Sequence, residues 1–562
     1  MNNAPLFLSM APKMIQEILH VSSRCGGGKS REAIRELVKH LTSMQAVSET
    51  YLFASSTLEL SDQNYSFTLA EISKYPQSQI SVKKVDFETA VGTVADAIRN
   101  LLEGGFKGVM FISHKALAIL SPQLLRDVRV VIDEVPQDLA GTLMVKHDPL
   151  RQNISWEQYL QFSQTSNGDE IVSLVPNARA SVQGLIREIR SGFDNTLSFS
   201  VADLLEHLLV GQEPVYRGKT TIDGKPCQMY QAVYYHPLKK LVDNVSYLAV
   251  LSAQLKDTLF GFICVELLKL TIVEKPINDS TQLEKKHRNR ANIIPILSGG
   301  DWSTALRKKP ANEALVNVQG QPVSSTLAVG MYAQEFAERI LGRQDFMITL
   351  NTEEQLLESL EVRGIVRTTT KVHGMNHLTH LDHAVYLAAT NLTPFDERIY
   401  RKFANDRSLP IAQLLKAIKV ERSYENAYQC IARTSVRNQL NSLKMHTFIV
   451  PDYEYATYIA SWFETGCARV STQKSFLTKS EYDRRAARQK RLDTLVSILT
   501  QRRNKKAKLK DLLKAAGLSR AAYDKHIKDF RLELHQKGLL PSKPSKGGTL
   551  GDLYPTLKQT KL

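Results

Sequence analysis

A strand that must turn tightly into a helix is the feature that most limits what this chain can become. Residues Glu17 to Leu41, EILHVSSRCGGGKSREAIRELVKHL, begin with the short apolar run EILHV, the kind of segment a buried parallel strand needs. Three consecutive glycines follow, Gly26, Gly27 and Gly28, and then Lys29 and Ser30. Beyond them Ala33, Ile34, Leu37, Val38 and Leu41 recur at helical spacing with charges between them. Glycines in such a turn let backbone N–H groups converge on an anion, and the positive end of the following helix favours negative charge there. Lys29 can reach the outer phosphates of a nucleotide, and the Ser30 hydroxyl can hold Mg²⁺. A phosphate loop is therefore expected. The plain alternative is a glycine-rich strand–helix turn that binds nothing.

A second requirement of phosphate chemistry is met about 100 residues downstream. Val130, Val131 and Ile132 read as a buried strand, and Asp133 and Glu134 stand at its carboxyl end, where open α/β sheets bind their ligands. Asp133 is suited to the Mg²⁺ that bridges outer phosphates, and Glu134 to polarising an attacking water. Two adjacent acids can also be no more than a helix cap. Two more strands are expected between loop and acids. One lies in YLFASSTLELSDQ (Tyr51 to Gln63), and the other in GVMFISHKAL (Gly108 to Leu117), which turns polar at Ser113 and His114.

With these segments in order, the chain resembles the superfamily 2 helicases of the DExx-box type. SRCGGGKS is similar to motif I, with Ser23 in place of Ala and Ser30 in place of Thr. ASSTLELSDQ, which contains Ser56 and Thr57, is similar to motif Ia, FISHKAL to the next nucleic-acid motif, and IDEV to motif II. LAVLSAQL (Leu248 to Leu255) resembles motif III, and Gln254 stands where the family has Thr. DFMITLNTEEQ (Asp345 to Gln355) has the look of motif IV, and the stretch from Thr368 to Pro394 that of motif V, with Gly374 and Asn376 at its centre. YQCIARTSVRN (Tyr428 to Asn438) is similar to motif VI, and Gln429, Arg433 and Arg437 stand four apart, as on one helical face. Arginines so presented can reach across a cleft to a γ-phosphate.

The resemblance implies an α/β fold of two RecA-like domains, parallel sheets flanked by helices, hydrolysing ATP with Mg²⁺ between them. It implies ATP binding by Ser23, Gly26, Gly27, Gly28, Lys29 and Ser30, and metal binding by Ser30 and Asp133. Catalysis falls to Glu134, Gln429, Arg433 and Arg437, and coupling to Ser252, Ala253, Gln254, Gly374 and Asn376. Nucleic acid, DNA in preference to RNA, would meet Ser56, Thr57, Ser113 and His114. A competing reading of the motif V stretch is a metal site at His373, His377, His380 and His383, but it lacks the Glu of a zinc-protease helix.

Composition locates a further part. Of the net charge of +16, the segment from Lys474 to Leu562 carries +15, with 23 Lys and Arg against 8 Asp and Glu. A basic segment on a nearly neutral body points to an appended polyanion-binding module, or else to a merely solvated tail. Within it a helix through Leu509, Leu512, Leu513 and Ala516 breaks at Gly517. A second helix starts at a Ser519 cap and carries Ala522, Tyr523, Ile527 and Phe530 inward. This resembles a helix-turn-helix that would present Arg520, Lys525 and Lys528 to duplex DNA. A small helical hairpin with a basic surface is the alternative.

The expected layout is a first RecA-like domain at 1–146 and 241–285, interrupted by an α+β insertion at 147–240. That insertion shows helical periodicity in its middle and a hairpin at Asp223-Gly224. A polar linker runs from Glu274 to Asn292, the second RecA-like domain covers 286–470, and an all-α module covers 471–540. Residues 541–562, rich in Gly, Pro, Ser and Lys, read as disordered. The five cysteines are scattered with no CxxC pair, which favours a reducing compartment over a disulfide framework. No apolar run of about 18 residues and no signal peptide are found, so a cytoplasmic protein without membrane contact is expected. The motor with its appended module is similar to phage- or plasmid-borne replication helicases, including origin-binding ones, which implies replication proteins as partners. Two rivals are a DNA-packaging terminase ATPase and an ATP-switched DNA-binding initiator that does not unwind.

Overall fold

The structure, a computed structural model, describes residues 15–43, 47–147, 156–165, 170–191, 199–222, 225–275, 285–370, 378–438, 444–505 and 508–540. They form two compact units. One takes the residues up to Ser298 with Trp302–Lys308 and Ala328–Ser475, and the other takes Gly299–Asp301, Lys309–Leu327 and the residues from Phe476. The second unit therefore draws on the middle of the chain as well as on the basic segment.

In the first unit the strands run β1 (Glu17–Ser22), β2 (Thr50–Ser55), β3 (Ser81–Lys84), β4 (Gly108–Ser113) and β5 (Val128–Asp133). Then come β6 (Gly141–His147), β7 (Leu160–Gln164), β8 (Glu170–Leu174), β9 (Val215–Ile222), β10 (Lys225–Tyr234), β11 (Tyr247–Ser252) and β12 (Thr271–Glu274). Seven of them make a parallel sheet in the order β12-β1-β11-β5-β2-β4-β3. Helices cover both faces of such a sheet, so its central strands are apolar in their middle, and β2 and β5 are buried at every position.

Register then does something the sequence only hinted at. Ser22 pairs with Ser252, Leu251 with Asp133, Asp133 with Ser55, and Ser55 with Ser113. Five strands thus end together, and their small polar or acidic last residues line one rim.

Helix α1 (Lys29–Thr42) leaves that rim from Gly28 and buries the expected stripe Ala33, Ile34, Leu37, Val38 and Leu41. Helix α2 (Leu58–Ile72) starts at Thr57, whose hydroxyl accepts from the Leu60 N–H. Its inward residues are polar: Ser61, Asn64, Thr68 and Glu71.

The insertion is an antiparallel sheet in the order β6-β10-β9-β8-β7. It starts at Gly141, before the expected 147. The helices Arg179–Ser191 and Phe199–Val210 share a core with its strands around Trp156 and Tyr230. Strands β9 and β10 form the expected hairpin, with Lys225 paired to Ile222. Asp223 and Gly224 lie outside the described residues.

Later strands are β13 (Arg290–Gly299), β14 (Leu315–Val316), β15 (Phe346–Thr349), β16 (Val366–Thr368), β17 (His383–Tyr386), β18 (Met445–Asp452), β19 (Ala468–Val470) and β20 (Phe476–Thr478). The second lobe of the first unit is parallel in the order β19-β13-β18-β17-β15-β16. The first unit is therefore two RecA-like lobes with an α+β insertion.

Two helices of the second lobe, Pro394–Asp406 and Ile411–Lys419, pack into the first lobe. Ile399, Tyr400, Phe403, Leu414 and Ile418 share one buried apolar cluster with Leu238, Leu241, Phe260 and Ile263. Thr142 and Tyr400 are joined by a 2.6 Å hydrogen bond, and Gln231 donates to Asp396 at 2.9 Å. A Cβ at Gly218 on β9 would lie 2.8 Å from the Phe395 ring, so a larger residue there would push the ring aside.

Among the described residues the second unit is helical apart from the antiparallel pair β14–β20. Its long helix Lys479–Lys505 contributes Leu492, Leu495 and Ile498 to a core with Leu513, Tyr523, Phe530 and Leu534. Helices Leu509–Ala515 and Arg520–Asp529 flank the expected break, and Ser519 caps the second by accepting from the Ala522 N–H. Arg520, Lys525 and Lys528 are exposed, though Arg520 is paired with Asp524 at 3.0 Å. Residues 541–562 lie outside the described residues. Among the described residues no helix is long and apolar enough to cross a membrane.

Candidate functional site

Between the two lobes of the first unit lies a cavity of about 770 Å³, and most of the expected chemistry faces it. Gly26, Gly28, Lys29, Ser30, Asp133 and Glu134 line it from the first lobe, and Thr379, Arg433, Arg437 and Asn438 from the second.

The loop geometry requires its glycines. Gly26 and Gly28 have φ of +76° and +86°, and a Cβ at Gly26 would sit 2.7 Å from Arg437 Nε. Two expected loop residues do not face the cavity. Ser23 is buried beneath the loop, where its hydroxyl donates to the Arg24 carbonyl. Gly27 spends its N–H on the same carbonyl at 3.0 Å, which closes the turn.

The acids are held on the rim. Ser30 Oγ donates to Asp133 Oδ1 at 2.8 Å, and Asn64 Nδ2 donates to Asp133 Oδ2 at 2.9 Å. Burial pushes the Asp133 carboxyl above its ordinary range and neighbouring Glu134 adds to this, while Lys29, Asn64 and Ser30 oppose it. Glu134 has φ of +73°, unusual for a residue with a side chain, and its N–H donates to the Leu251 carbonyl. Its carboxylate accepts from Ser56 Oγ at 2.9 Å and lies 3.7 Å from the Arg433 guanidinium.

The second lobe departs from the expected single helical face. Helix Asn426–Ile431 ends before the arginines, because Thr434 Oγ1 donates to the Ile431 carbonyl and the Ser435 N–H donates to Leu381. Arg433 therefore sits in a turn, and Arg437 ends the short helix Ser435–Arg437. Both still line the cavity. Gln429, on the helix proper, does not; its amide nitrogen donates to Glu425 at 3.4 Å. The turn between the arginines is fixed by Ser435, whose Oγ bonds both Asp382 at 2.5 Å and His446 at 3.0 Å.

A chain of hydrogen bonds ties loop to second lobe. The Cys25 N–H donates to Tyr428 Oη at 3.0 Å, and His287 Nε2 lies 3.0 Å from that hydroxyl. His287 Nδ1 lies 3.2 Å from the Val436 carbonyl, which can only accept, so Nδ1 carries the proton and Tyr428 donates to Nε2. Burial lowers the His287 pKa to about 3, consistent with that neutral tautomer. Tyr428 stacks on Trp462 at 4.8 Å between ring centroids. Arg24 adds a bond from Nη1 to the Arg437 carbonyl at 3.3 Å. His287 belongs to the stretch expected to be a polar linker, yet it is fully buried.

Other expected residues serve the scaffold. Thr57 and Ser113 cap helices, Ser113 by accepting from the Ala116 N–H. His114 points inward, donating from Nε2 to the Asp133 carbonyl at 3.1 Å, so its ring is not on the surface where nucleic acid was expected. Ser252 bonds the buried His20, and Ala253 packs in the apolar cluster of the second lobe. Gln254 folds back on its own loop, donating to Asp257 at 2.8 Å and accepting from the Leu255 N–H. Gly374, Asn376, His373 and His377 lie outside the described residues. His383 accepts from the Thr447 N–H, and among the described residues no group of three or more His, Cys, Asp or Glu could hold a metal ion.

Sequence reasoning missed Asn64, Tyr428, His287 and Arg24. Asn64 carried one readable signal, a polar side chain on the helix stripe that should have been apolar.

No family model and no curated protein matches the chain. Among solved structures it is similar to S. cerevisiae Dbp5 bound to RNA and ADP BeF3, at 10% identity over 82% of this chain and 86% of that one, with a TM-score of 0.34. It is also similar to Mss116p bound to ssRNA and AMP-PNP, at 10% identity, 94% and 87% coverage and a TM-score of 0.33. The DUF1998 helicase MrfA bound to DNA is a third, at 10% identity, 81% and 48% coverage and a TM-score of 0.33.

Proposed function

We propose that this chain is an ATP-dependent helicase or translocase that hydrolyses ATP between its two lobes and acts on nucleic acid, DNA in preference to RNA. The observation that carries this reading is the convergence of Lys29, Ser30, Asp133 and Glu134 with Arg433 and Arg437 on one cavity. An acid pair beside a phosphate loop is suited to hydrolysis, and arginines from the opposite lobe make hydrolysis depend on lobe closure.

In this reading Lys29 pairs with the outer phosphates as a point charge. The Ser30 hydroxyl and the Asp133 carboxylate, side by side, are an oxygen donor pair suited to Mg²⁺. When bound, Mg²⁺ would neutralise charge developing on the phosphates. Glu134 orients the attacking water and takes its proton. Arg433, now close to Glu134, exchanges that carboxylate for γ-phosphate oxygens, and Arg437 supports it from beside Gly26. Phage or plasmid DNA replication in a bacterial cytoplasm, with replication proteins as partners, is the setting we propose, because a basic helical unit accompanies the motor. Its helix-turn-helix-like pair would present Lys525 and Lys528 to duplex DNA.

The test is steady-state ATP turnover of the full chain alone and with single-stranded DNA, duplex DNA or RNA. Turnover that rises several-fold with DNA, most with single strands, supports the reading. ATP binding without turnover would leave an ATP-switched initiator instead.

A further inference from the structure

We infer that the segment Ser56–Asn64 is the positioning element of this site, with Ser56 setting Glu134 and Asn64 setting Asp133. The inference rests on the ATP-hydrolysing reading above and adds to it two residues that act through the acids, Ser56 through Glu134 and Asn64 through Asp133.

Three observations converge on it. Glu134 has a left-handed backbone at φ +73°, a strained conformation for a residue with a side chain that persists only where its surroundings enforce it. Its N–H is anchored to Leu251, which fixes the main chain, but the carboxylate needs its own partner. Ser56 supplies that partner at 2.9 Å from the end of the neighbouring strand.

Asp133 divides its two oxygens between lobe elements. Oδ1 faces Ser30, the other expected metal ligand, while Oδ2 is taken by Asn64 at 2.9 Å. A carboxylate held by one oxygen presents the other in a fixed direction, the usual work of groups that support a metal ligand. Asn64 is itself fixed, since its amide also reaches Ser55 Oγ at 3.3 Å and it is 5% exposed.

Both contacts spring from one rigid segment. Strand β2 ends at Ser55, in register with Asp133, and Thr57 caps α2 two residues on. Asn64 lies two helical turns into α2. A buried polar stripe is costly unless its groups are satisfied, and within it Asn64 bonds Asp133 while Thr68 Oγ1 donates to the Asn64 carbonyl at 2.8 Å.

The experiment uses the full chain and the variants Asn64→Ala, Ser56→Ala and Ser56→Thr. Binding of Mn²⁺ in the presence of a nonhydrolysable ATP analogue is followed by electron paramagnetic resonance, and kcat and KM for ATP are measured separately. Asn64→Ala should weaken Mn²⁺ binding about 10- to 100-fold. Ser56→Ala should leave Mn²⁺ binding within about twofold, leave KM unchanged and lower kcat about 10-fold or more, as misplacement of a catalytic group does. Ser56→Thr keeps the hydroxyl and should recover most of that loss. If Asn64→Ala does not fold, Asn64→Leu, close in shape and without the amide, carries the same Mn²⁺ test. Wild-type Mn²⁺ affinity in the Asn64 variant, or a threonine variant no better than alanine, overturns the inference while the ATP reading stands. A wild-type chain that neither binds Mn²⁺ with the analogue nor turns over ATP overturns both.

Discussion

The two lobes of the first unit meet in two places made of opposite materials. At the cavity they bring together Lys29, Asp133, Glu134, Arg433 and Arg437, charges whose mutual arrangement is suited to a polyanion. At the seam the helices Pro394–Asp406 and Ile411–Lys419 bury Ile399, Tyr400, Phe403, Leu414 and Ile418 in the core of the first lobe. Each such side chain contributes about 1.5–3 kcal/mol by leaving water, and no ligand is needed to complete the contact. The polar contacts across the seam, such as Gln231 to Asp396, are likewise satisfied from within. The difference teaches a division of labour. The seam fixes which surfaces face each other, and the cavity holds electrostatic capacity for a nucleotide to use.

Substitutions on the two sides should therefore fail in different ways. The largest effect belongs to Lys29→Ala, which removes the loop's point charge and should reduce ATP turnover by at least about 10³-fold with little change in thermal midpoint. Next, Arg433→Ala or Arg437→Ala should cut turnover by about 10³-fold while ATP affinity stays within a small factor, as loss of a transition-state arginine does. Equal losses of affinity and turnover would place these arginines in ground-state binding instead.

On the seam the currency is stability. Phe403→Ala should cost about 3–5 kcal/mol in urea denaturation, because the surrounding packing cannot collapse fully into the void. A cost below about 1 kcal/mol would mean that the seam is not packed as described.

The smallest effect is a pH dependence at the same place. Glu421 accepts from the Phe260 N–H across the seam, and burial pushes its carboxyl up to about 7, outweighing that bond and nearby Arg422. Below about pH 4.5 the group is protonated in both folded and unfolded chains. As pH rises to about 7 the unfolded chain ionises first, so the folded state loses stability over that interval. Relative to Glu421→Gln, the wild type should lose on the order of 3 kcal/mol between these limits. Parallel stability curves for the two proteins would contradict it.

What the sequence disclosed follows the same division. Helix α1 was readable because its inward stripe is apolar, and the rim because each strand ends in a small polar or acidic residue. Helix α2 was not, since its buried residues Ser61, Asn64, Thr68 and Glu71 are polar, and Asn64 among them bonds Asp133. The even spacing of Gln429, Arg433 and Arg437 suggested one helix, but a local bond from Thr434 to the Ile431 carbonyl and a tertiary one from the Ser435 N–H to Leu381 end it at Ile431. The periodicity of 394–419 says that those helices have a buried face, and nothing local says that the first lobe buries it. The second unit was legible as a basic helical segment, while its share of 309–327 depends on contacts distant in sequence.

The central claim is that Glu134 activates water in a cavity completed by the second lobe. Single-turnover hydrolysis by Glu134→Gln, with ATP binding measured on the same sample, tests it most directly. The account predicts binding within a few-fold of wild type and hydrolysis slower by about 10²–10⁴-fold, because the amide cannot take the proton. Hydrolysis at the wild-type rate would contradict it.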